Sequence, residues 1–326
     1  MDIGVVLEAL ADEALPKALG FLRERAPQVT AIEIGVGGYA PTSHCDMRSL
    51  LTDSRARADW TELVASLGFT VSAFSVWGNP LHPDERIAKQ HREDLANAVR
   101  LSGLLGVKRV IALAGCPGAI RGDQVPHFAA GGWLPYLEGV WERQWLDSAQ
   151  ECWSSIAAIA EREDTDIRVC LELHPGTLVY NVETFERVSL VSESIAANLD
   201  PSHLFWMQMD PLVVAEYLGS SVAYCHAKDT SFDERQMALN GVLDARWPSS
   251  TEVLPWHFSV PGRGHDQRWW TSFVQALEST SATTLSIECE DPFISPRDGI
   301  PEASSFLSSC RPGSITDSSC SDSEGD

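Results

Sequence analysis

Short runs rich in β-branched residues recur along this chain, separated by longer stretches, and eight of them can be counted. They are Ile3–Leu7, Ala31–Gly35, Thr70–Ser75, Arg109–Ala114, Ile167–Leu173, Ala196–Asp200, Val222–Ala227 and Thr284–Cys289. Between them, Asp84–Leu105, Trp141–Glu163, Pro211–Leu218 and Gln267–Glu278 carry apolar residues three and four apart, the spacing of a helix with one buried face. Strands alternating with helices pair in parallel, because a parallel neighbour is reached only through a crossover. Eight such units within 326 residues predict a sheet closed on itself, an α/β (β/α)8 TIM barrel, which takes about 250 residues plus insertions. An open doubly wound sheet would carry GxGxxG after its first strand, and no such turn follows Leu7. The glycines of GVGGYA (35–40) precede no clear helix and are read as a mobile loop at the barrel mouth.

Charge narrows the partners. With 46 acidic against 24 basic residues the formal net charge is -22, which repels phosphate backbones and anionic lipid, and no Lys/Arg run offsets it. No nucleic-acid or membrane partner is expected. The N-terminus lacks the basic region of a signal peptide, and no apolar run nears the roughly 18 residues of a membrane span. Eight cysteines with no CxxC pair read as reduced thiols of a cytoplasmic protein, with Cys170, Cys225 and Cys289 as small core hydrophobes.

Two irregular insertions, Cys116–Tyr136 and Thr230–Asp266, both follow strands, which puts them on the catalytic face of a barrel. Residues 1–307 are expected to form the single barrel domain. The tail 308–326, SSCRPGSITDSSCSDSEGD, is Ser- and Asp-rich with almost no large apolar residues, and is expected to be disordered.

The last four strands end alike. CLELHPG, ANLDPSH, AYCHAKD and SIECED interrupt apolar runs with Glu172, Asp200, His226 and Glu288 at the end that a barrel strand presents to its mouth. A lone acid in such a run reads as a salt-bridged interior residue, a lone histidine as a satisfied core residue, and Asp200 before Pro201 as a helix cap. Four in succession point to one shared partner, since burying each separately is costly. Three carboxylates and an imidazole make a hard ligand set suited to one divalent ion, Mn2+ first, with Mg2+, Co2+ or Zn2+ as alternatives.

The motifs LELHPG, NLDPSHLFW, HAKDT, GRGHD and SIECED, in this order, resemble the xylose isomerase-like TIM-barrel superfamily, which includes ketose 3-epimerases, inosose dehydratase and an endonuclease branch. With WGNPLHPD (77–84) and GCPG (115–118), the chain resembles its sugar phosphate isomerase/epimerase subgroup. The resemblance implies that Glu172, Asp200, His226 and Glu288 are metal ligands. It implies that Glu172 and Glu288 also move the substrate proton, and that His203 contacts substrate or a ligand carboxylate. A second glutamate that ketose epimerases carry six residues after the strand-five glutamate is replaced by Leu178.

Around this set, His82, His174, Lys228, Arg263, His265 and Trp206 are candidate substrate contacts, with Trp77 a further aromatic near the mouth. Each has a plainer reading: a turn or rim histidine, a solvated lysine or arginine, a packed tryptophan.

The expected activity is a divalent-metal-dependent isomerase or epimerase that abstracts a proton next to a metal-bound carbonyl of a sugar-like small molecule. The rival is a metal-dependent lyase acting on an oxidised (3-oxo) glycoside, C-glycoside or inosose. Trp133, Trp141, Trp145, Trp247 and Trp256 in or near the long loops tilt slightly toward it, as room for an aromatic aglycone. An endonuclease needs further His and Asp ligands, and strand four ends in IALAGCPG without a histidine. A non-catalytic barrel would leave four costly residues without a use. A homo-oligomer or a small partner subunit is compatible with the sequence.

Overall fold

A computed structural model describes residues 1–130, 134–244, 246 and 253–311. Eight strands close into a parallel barrel: β1 (Asp2–Val6), β2 (Val29–Gly38), β3 (Thr70–Trp77), β4 (Arg109–Ala112), β5 (Arg168–Glu172), β6 (Ile195–Leu199), β7 (Val222–Ala227) and β10 (Thr284–Ile287). Each pairs with its neighbour in sequence, and β10 closes the ring between β7 and β1. The expected single (β/α)8 TIM barrel is what the chain forms.

Strand periodicity divides the side chains. Residues two apart share a face, so Cys170 and Glu172, Ala196 and Asn198, and Tyr224 and His226 point the same way. Near the barrel floor these inward positions form a small separate core of Ala73, Ile111, Cys170, Ala196 and Tyr224 with Ala223. One step higher the inward positions turn polar. The outward faces build the main core against surrounding helices, of which the longest, α4 (Glu85–Leu105), buries Ala88, Leu95, Ala98, Val99 and Leu101. Asp84 caps its first turn by accepting from Arg86 N, and Gly106 ends it at φ 73°, a left-handed conformation that glycine adopts without cost.

Two local expectations need correction. GVGGYA is not a loop: β2 runs through it to Gly38, and two helices, α2 (Met47–Thr52) and α3 (Ser54–Ser66), follow. Glycine is required there because a Cβ on Gly38 would lie 2.1 Å from the Trp77 carbonyl oxygen. The 230–266 insertion is not irregular throughout. It contains an antiparallel pair, β8 (Asp229–Phe232) and β9 (Trp256–Ser259), and helix α10 (Glu234–Asn240). The 116–136 insertion is irregular as expected, pinned by Gln144 Nε2 donating to the carbonyls of Pro117, Gly118 and His127.

The last helix, α12 (Pro296–Ser309), continues past residue 307, and Cys310 is buried. The folded part thus extends slightly into the segment 308–326; residues 312–326 of that expected tail lie outside the described ones. No described helix is long and apolar enough to cross a membrane.

Candidate metal centre at the barrel mouth

Each ligand candidate sits where its strand ends. Glu172 closes β5, and His226 is the penultimate residue of β7. Asp200 follows β6 and caps α8 (Pro201–Trp206) by accepting from Ser202 N at 2.9 Å. Glu288 follows β10, with its amide donating to Ala227 O. One ligand atom from each of the four lies within 4.8 Å of the others. Ligands at about 2.1 Å from a divalent ion stand roughly 3 to 4 Å apart, so this set fits one.

The contacts sharpen that fit. His226 Nδ1 is 3.1 Å from Glu172 Oε2 and 3.3 Å from Glu288 Oε2. Three potential ligand atoms thus converge on one point, which only a proton or a cation between them makes favourable. Lys228 Nζ is buried beside them, 3.1 Å from Asp200 Oδ2, 2.7 Å from Glu288 Oε2 and 2.9 Å from Glu290 Oε2. Asn198 Nδ2 donates to Glu172 Oε2 at 2.9 Å. His203 Nε2 stands 3.1 Å from Glu172 Oε1 and 3.6 Å from Asp200 Oδ2, without the alignment of a hydrogen bond.

Burial and charge compete at every group. Burial alone would push the Glu172 carboxyl up, but His203 and His226 outweigh it and hold it well below the usual range. Glu288 is only partly buried, and the charges of Lys228 and His226 outweigh that burial and bring it down to about 2. Burial disfavours the charged forms of His226 and Lys228. The surrounding carboxylates overcome that and push both well above their ordinary values. His174 is brought down to about 4 by burial and by the nearby His203. Its Nδ1 donates to Pro175 O at 2.6 Å and its ring lies 4.1 Å from that of His203. Glu172, His174 and His203 form a second close group of potential ligands.

Two acids that the sequence reading passed over complete the mouth. Glu33 on β2 is fully buried and its Oε2 lies 3.1 Å from His226 Nε2. Glu8, just past β1, accepts from Trp77 Nε1 at 2.8 Å and Ser75 Oγ at 3.2 Å. Burial, then the charges of Glu33 and Glu288, push Glu8 up to about 8. The signal was present: VVLE and AIEIG break apolar strands with an acid as the later strands do, and Asn198 and Glu290 lie inside the motifs NLDPSHLFW and SIECED.

The remaining candidates divide. Lys228, His174 and His203 gather around the four, and Trp77 meets the His226 ring edge-on at 5.8 Å. Phe258 of β9 adds an apolar wall, 5.2 Å from His203 and 4.5 Å from Lys228 Nζ. Trp206 stacks on Trp256 at 4.7 Å. His265 is engaged elsewhere: it donates from Nδ1 to Asp229 Oδ1 at 2.7 Å and stacks on Phe205 at 3.7 Å. The GRGHD turn wraps the buried Asp229 carboxylate, which also accepts from the amides of Gly262, Gly264 and His265. A Cβ on Gly264 would meet Thr230 O at 2.1 Å, which is why the turn needs glycine there. Arg263 pairs with Glu302 of α12 at 2.7 Å. His82 accepts from Asp84 N and lines a cleft of about 890 Å³ with Arg92, Arg121 and Arg143, to which none of the four ligand candidates contributes. Trp141 and Trp145 pack under the Arg187 guanidinium. Trp133 and Trp247 lie outside the described residues.

The chain belongs to the family described as xylose isomerase-like TIM barrel, whose model matches residues 29–310. The uncharacterized protein YfiH of Bacillus subtilis (strain 168) is 32% identical over 304 residues, 92% of this chain and 96% of that protein. Among solved structures, the probable 3-DHS dehydratase AsbF from Bacillus anthracis superposes with a TM-score of 0.64 at 15% identity, over 94% of this chain and 99% of its own. The IOLI protein with a bound zinc atom gives 0.63 at 16%, covering 95% and 97%. A D-tagatose 3-epimerase-like protein gives 0.60 at 19%, also covering 95% and 97%. At such identities these structures establish the fold.

Proposed function

We propose that this member of the xylose isomerase-like TIM barrel family is a divalent-metal-dependent isomerase or epimerase of a sugar-like substrate. The observation that carries the reading is the convergence of His226 Nδ1, Glu172 Oε2 and Glu288 Oε2 at 3.1 to 3.3 Å, with Asp200 alongside. Glu172, Asp200, His226 and Glu288 would hold the ion. The hard, mostly oxygen set favours Mn2+, and the zinc in the IOLI structure supports a divalent ion in general. A divalent ion bound there supplies Lewis acidity, which lowers the pKa of a carbon-bound proton beside a carbonyl.

The protein's own groups then handle the proton. Glu172 and Glu288 approach from strands three apart around the ring, β5 and β10. Lys228 and His226 keep Glu288 anionic, so it is a base at neutral pH. Glu172 turns Oε1 toward His203, which can exchange a proton with it. Trp77 and Phe258 add apolar walls beside His226 and His203. His174 and Lys228 would hold substrate oxygens, and Trp206, His82, Arg263 and His265 would be outer contacts. Return of the proton to the opposite face gives epimerisation; return to the neighbouring carbon gives isomerisation. The unpaired thiols among the described residues favour a reducing, cytoplasmic setting.

The likeness to a probable dehydratase supports a second reading, a lyase on a 3-oxo-glycoside, C-glycoside or inosose, which shares the first proton abstraction. Leu178 favours it modestly, because a buried apolar side chain stands where ketose epimerases have a substrate-binding glutamate. Incubating the metal-loaded protein in D₂O with ketoses, inososes and 3-oxo-glycosides separates the two. Deuterium at carbon without other mass change supports the isomerase or epimerase. Release of water or aglycone supports the lyase, and no exchange across the panel with metal bound contradicts both.

A further inference from the structure

Glu33 has no part in the proton transfer described above, yet it is fully buried among the metal-ligand candidates. We propose that Glu33 is a positioning residue that locks His226 in the tautomer and orientation presenting Nδ1 to the cation. The inference rests on the metal-centre reading.

Three observations carry it. Glu33 stands on β2 and His226 on β7, three strands apart around the ring, so their 3.1 Å contact spans the barrel interior. A carboxylate accepts and does not donate, so the Nε2 that faces Glu33 carries a hydrogen, and Nδ1, which faces Glu172 Oε2 and Glu288 Oε2, is the nitrogen at which a cation would replace a proton. Asn198 steadies the ring from its face: its Nδ2 donates to Glu172 Oε2 and lies 3.2 Å from His226 Nδ1 and 3.5 Å from Nε2, so it limits the tilt of the imidazole without choosing the nitrogen. The rings of Trp77 at 5.8 Å and Tyr224 at 5.9 Å confine the imidazole edge-on, so the Glu33 contact sets the rotation left to it. An imidazole ligand whose second nitrogen donates to a carboxylate is held in place and made more basic, and loss of such a partner typically costs 10- to 100-fold in metal affinity.

The test compares Mn2+ affinity, by chelator competition, of the unaltered protein, Glu33→Gln and Glu33→Ala. It adds proton–nitrogen correlation spectra of His226 in the Zn2+-loaded forms. Glu33→Gln, nearly isosteric and still able to accept, is expected to weaken affinity about 10-fold, and Glu33→Ala up to about 100-fold. A slowly exchanging, downfield Nε2–H signal is expected in the unaltered protein, shifted in Glu33→Gln and lost in Glu33→Ala. Unchanged affinity in Glu33→Gln, or a His226 ligating through Nε2, would overturn the inference while leaving the metal centre standing. An unaltered protein that binds no ion would overturn both. Should Glu33→Ala fail to fold, Glu33→Gln decides alone.

Discussion

Lys228 Nζ lies 2.7 Å from Glu288 Oε2 and only 3.1 Å from Asp200 Oδ2, so a buried ammonium stands among the same carboxylates that a divalent ion would use. Six acids face this mouth, Glu8, Glu33, Glu172, Asp200, Glu288 and Glu290, and Lys228 is the nearest full cation to three of them. Lysine and metal ion thus share one task, offsetting charge that burial makes costly.

Lys228→Met should therefore act in opposite directions on stability and on metal binding. Breaking a buried ion pair from one side costs about 3–5 kcal/mol, and that loss should appear in urea unfolding of the metal-free protein. Removing a like charge beside the ion should tighten Mn2+ binding, so added Mn2+ should recover much of the lost stability. Equal destabilisation with and without Mn2+ would contradict the shared role.

Glu172→Gln and Glu288→Gln should each lower the rate of carbon–deuterium exchange by roughly 100-fold or more, the usual range of a lost general acid or base. Both also remove a ligand, so exchange is to be measured at saturating Mn2+. A variant that exchanges at the unaltered rate would remove that glutamate from the proton path.

Glu8 predicts a pH dependence. Its folded-state pKa of about 8 lies above the ordinary 4.5, so between those values the native state binds more protons than the unfolded one. Stability from this group is complete below about pH 4.5 and is lost as pH rises through 8, a change on the order of 5 kcal/mol. Glu8→Gln keeps an acceptor for Trp77 and cannot ionise. Relative to the unaltered protein it should be near neutral at pH 5 and stabilising at pH 9, measured by urea unfolding without metal. Equal differences at both pH values would contradict the shifted carboxyl.

Much of this architecture was legible because each barrel strand is a short apolar run, and because Glu172, Asp200, His226 and Glu288 break those runs at matching ends. Glu8 and Glu33 leave the same mark in strands one and two, but each alone reads as an ordinary surface or salt-bridged acid until the ring closes and sets Glu33 against His226. GVGGYA was misread because glycine runs usually mark loops. Here the glycines let β2 press against the Trp77 backbone and Asp94. The β8–β9 pair was hidden because Phe232 and Trp256 are partners across a long intervening segment. The place of Lys228 depends on three strand ends at once, which no local pattern reports.

Asp229 tests the reading of GRGHD as architecture. Its carboxylate takes four backbone amides, those of Thr230, Gly262, Gly264 and His265, with the His265 imidazole and Trp270 Nε1. Asp229→Ala should destabilise the protein by at least about 3 kcal/mol, since several buried donors lose a charged acceptor. His265→Phe, which retains the stacking on Phe205, should cost less. The opposite order, by thermal unfolding, would point to His265 rather than Asp229 as the organiser of the turn.

The most direct measurement is a titration of chelator-stripped protein with Mn2+ by calorimetry, paired with metal analysis of the dialysed complex. The account predicts one tightly bound ion per chain, with binding abolished in His226→Ala and strongly weakened in Asp200→Asn while both variants stay folded. Absence of bound metal in the unaltered protein, or binding untouched by either substitution, would contradict the metal centre and the proton-transfer chemistry built on it.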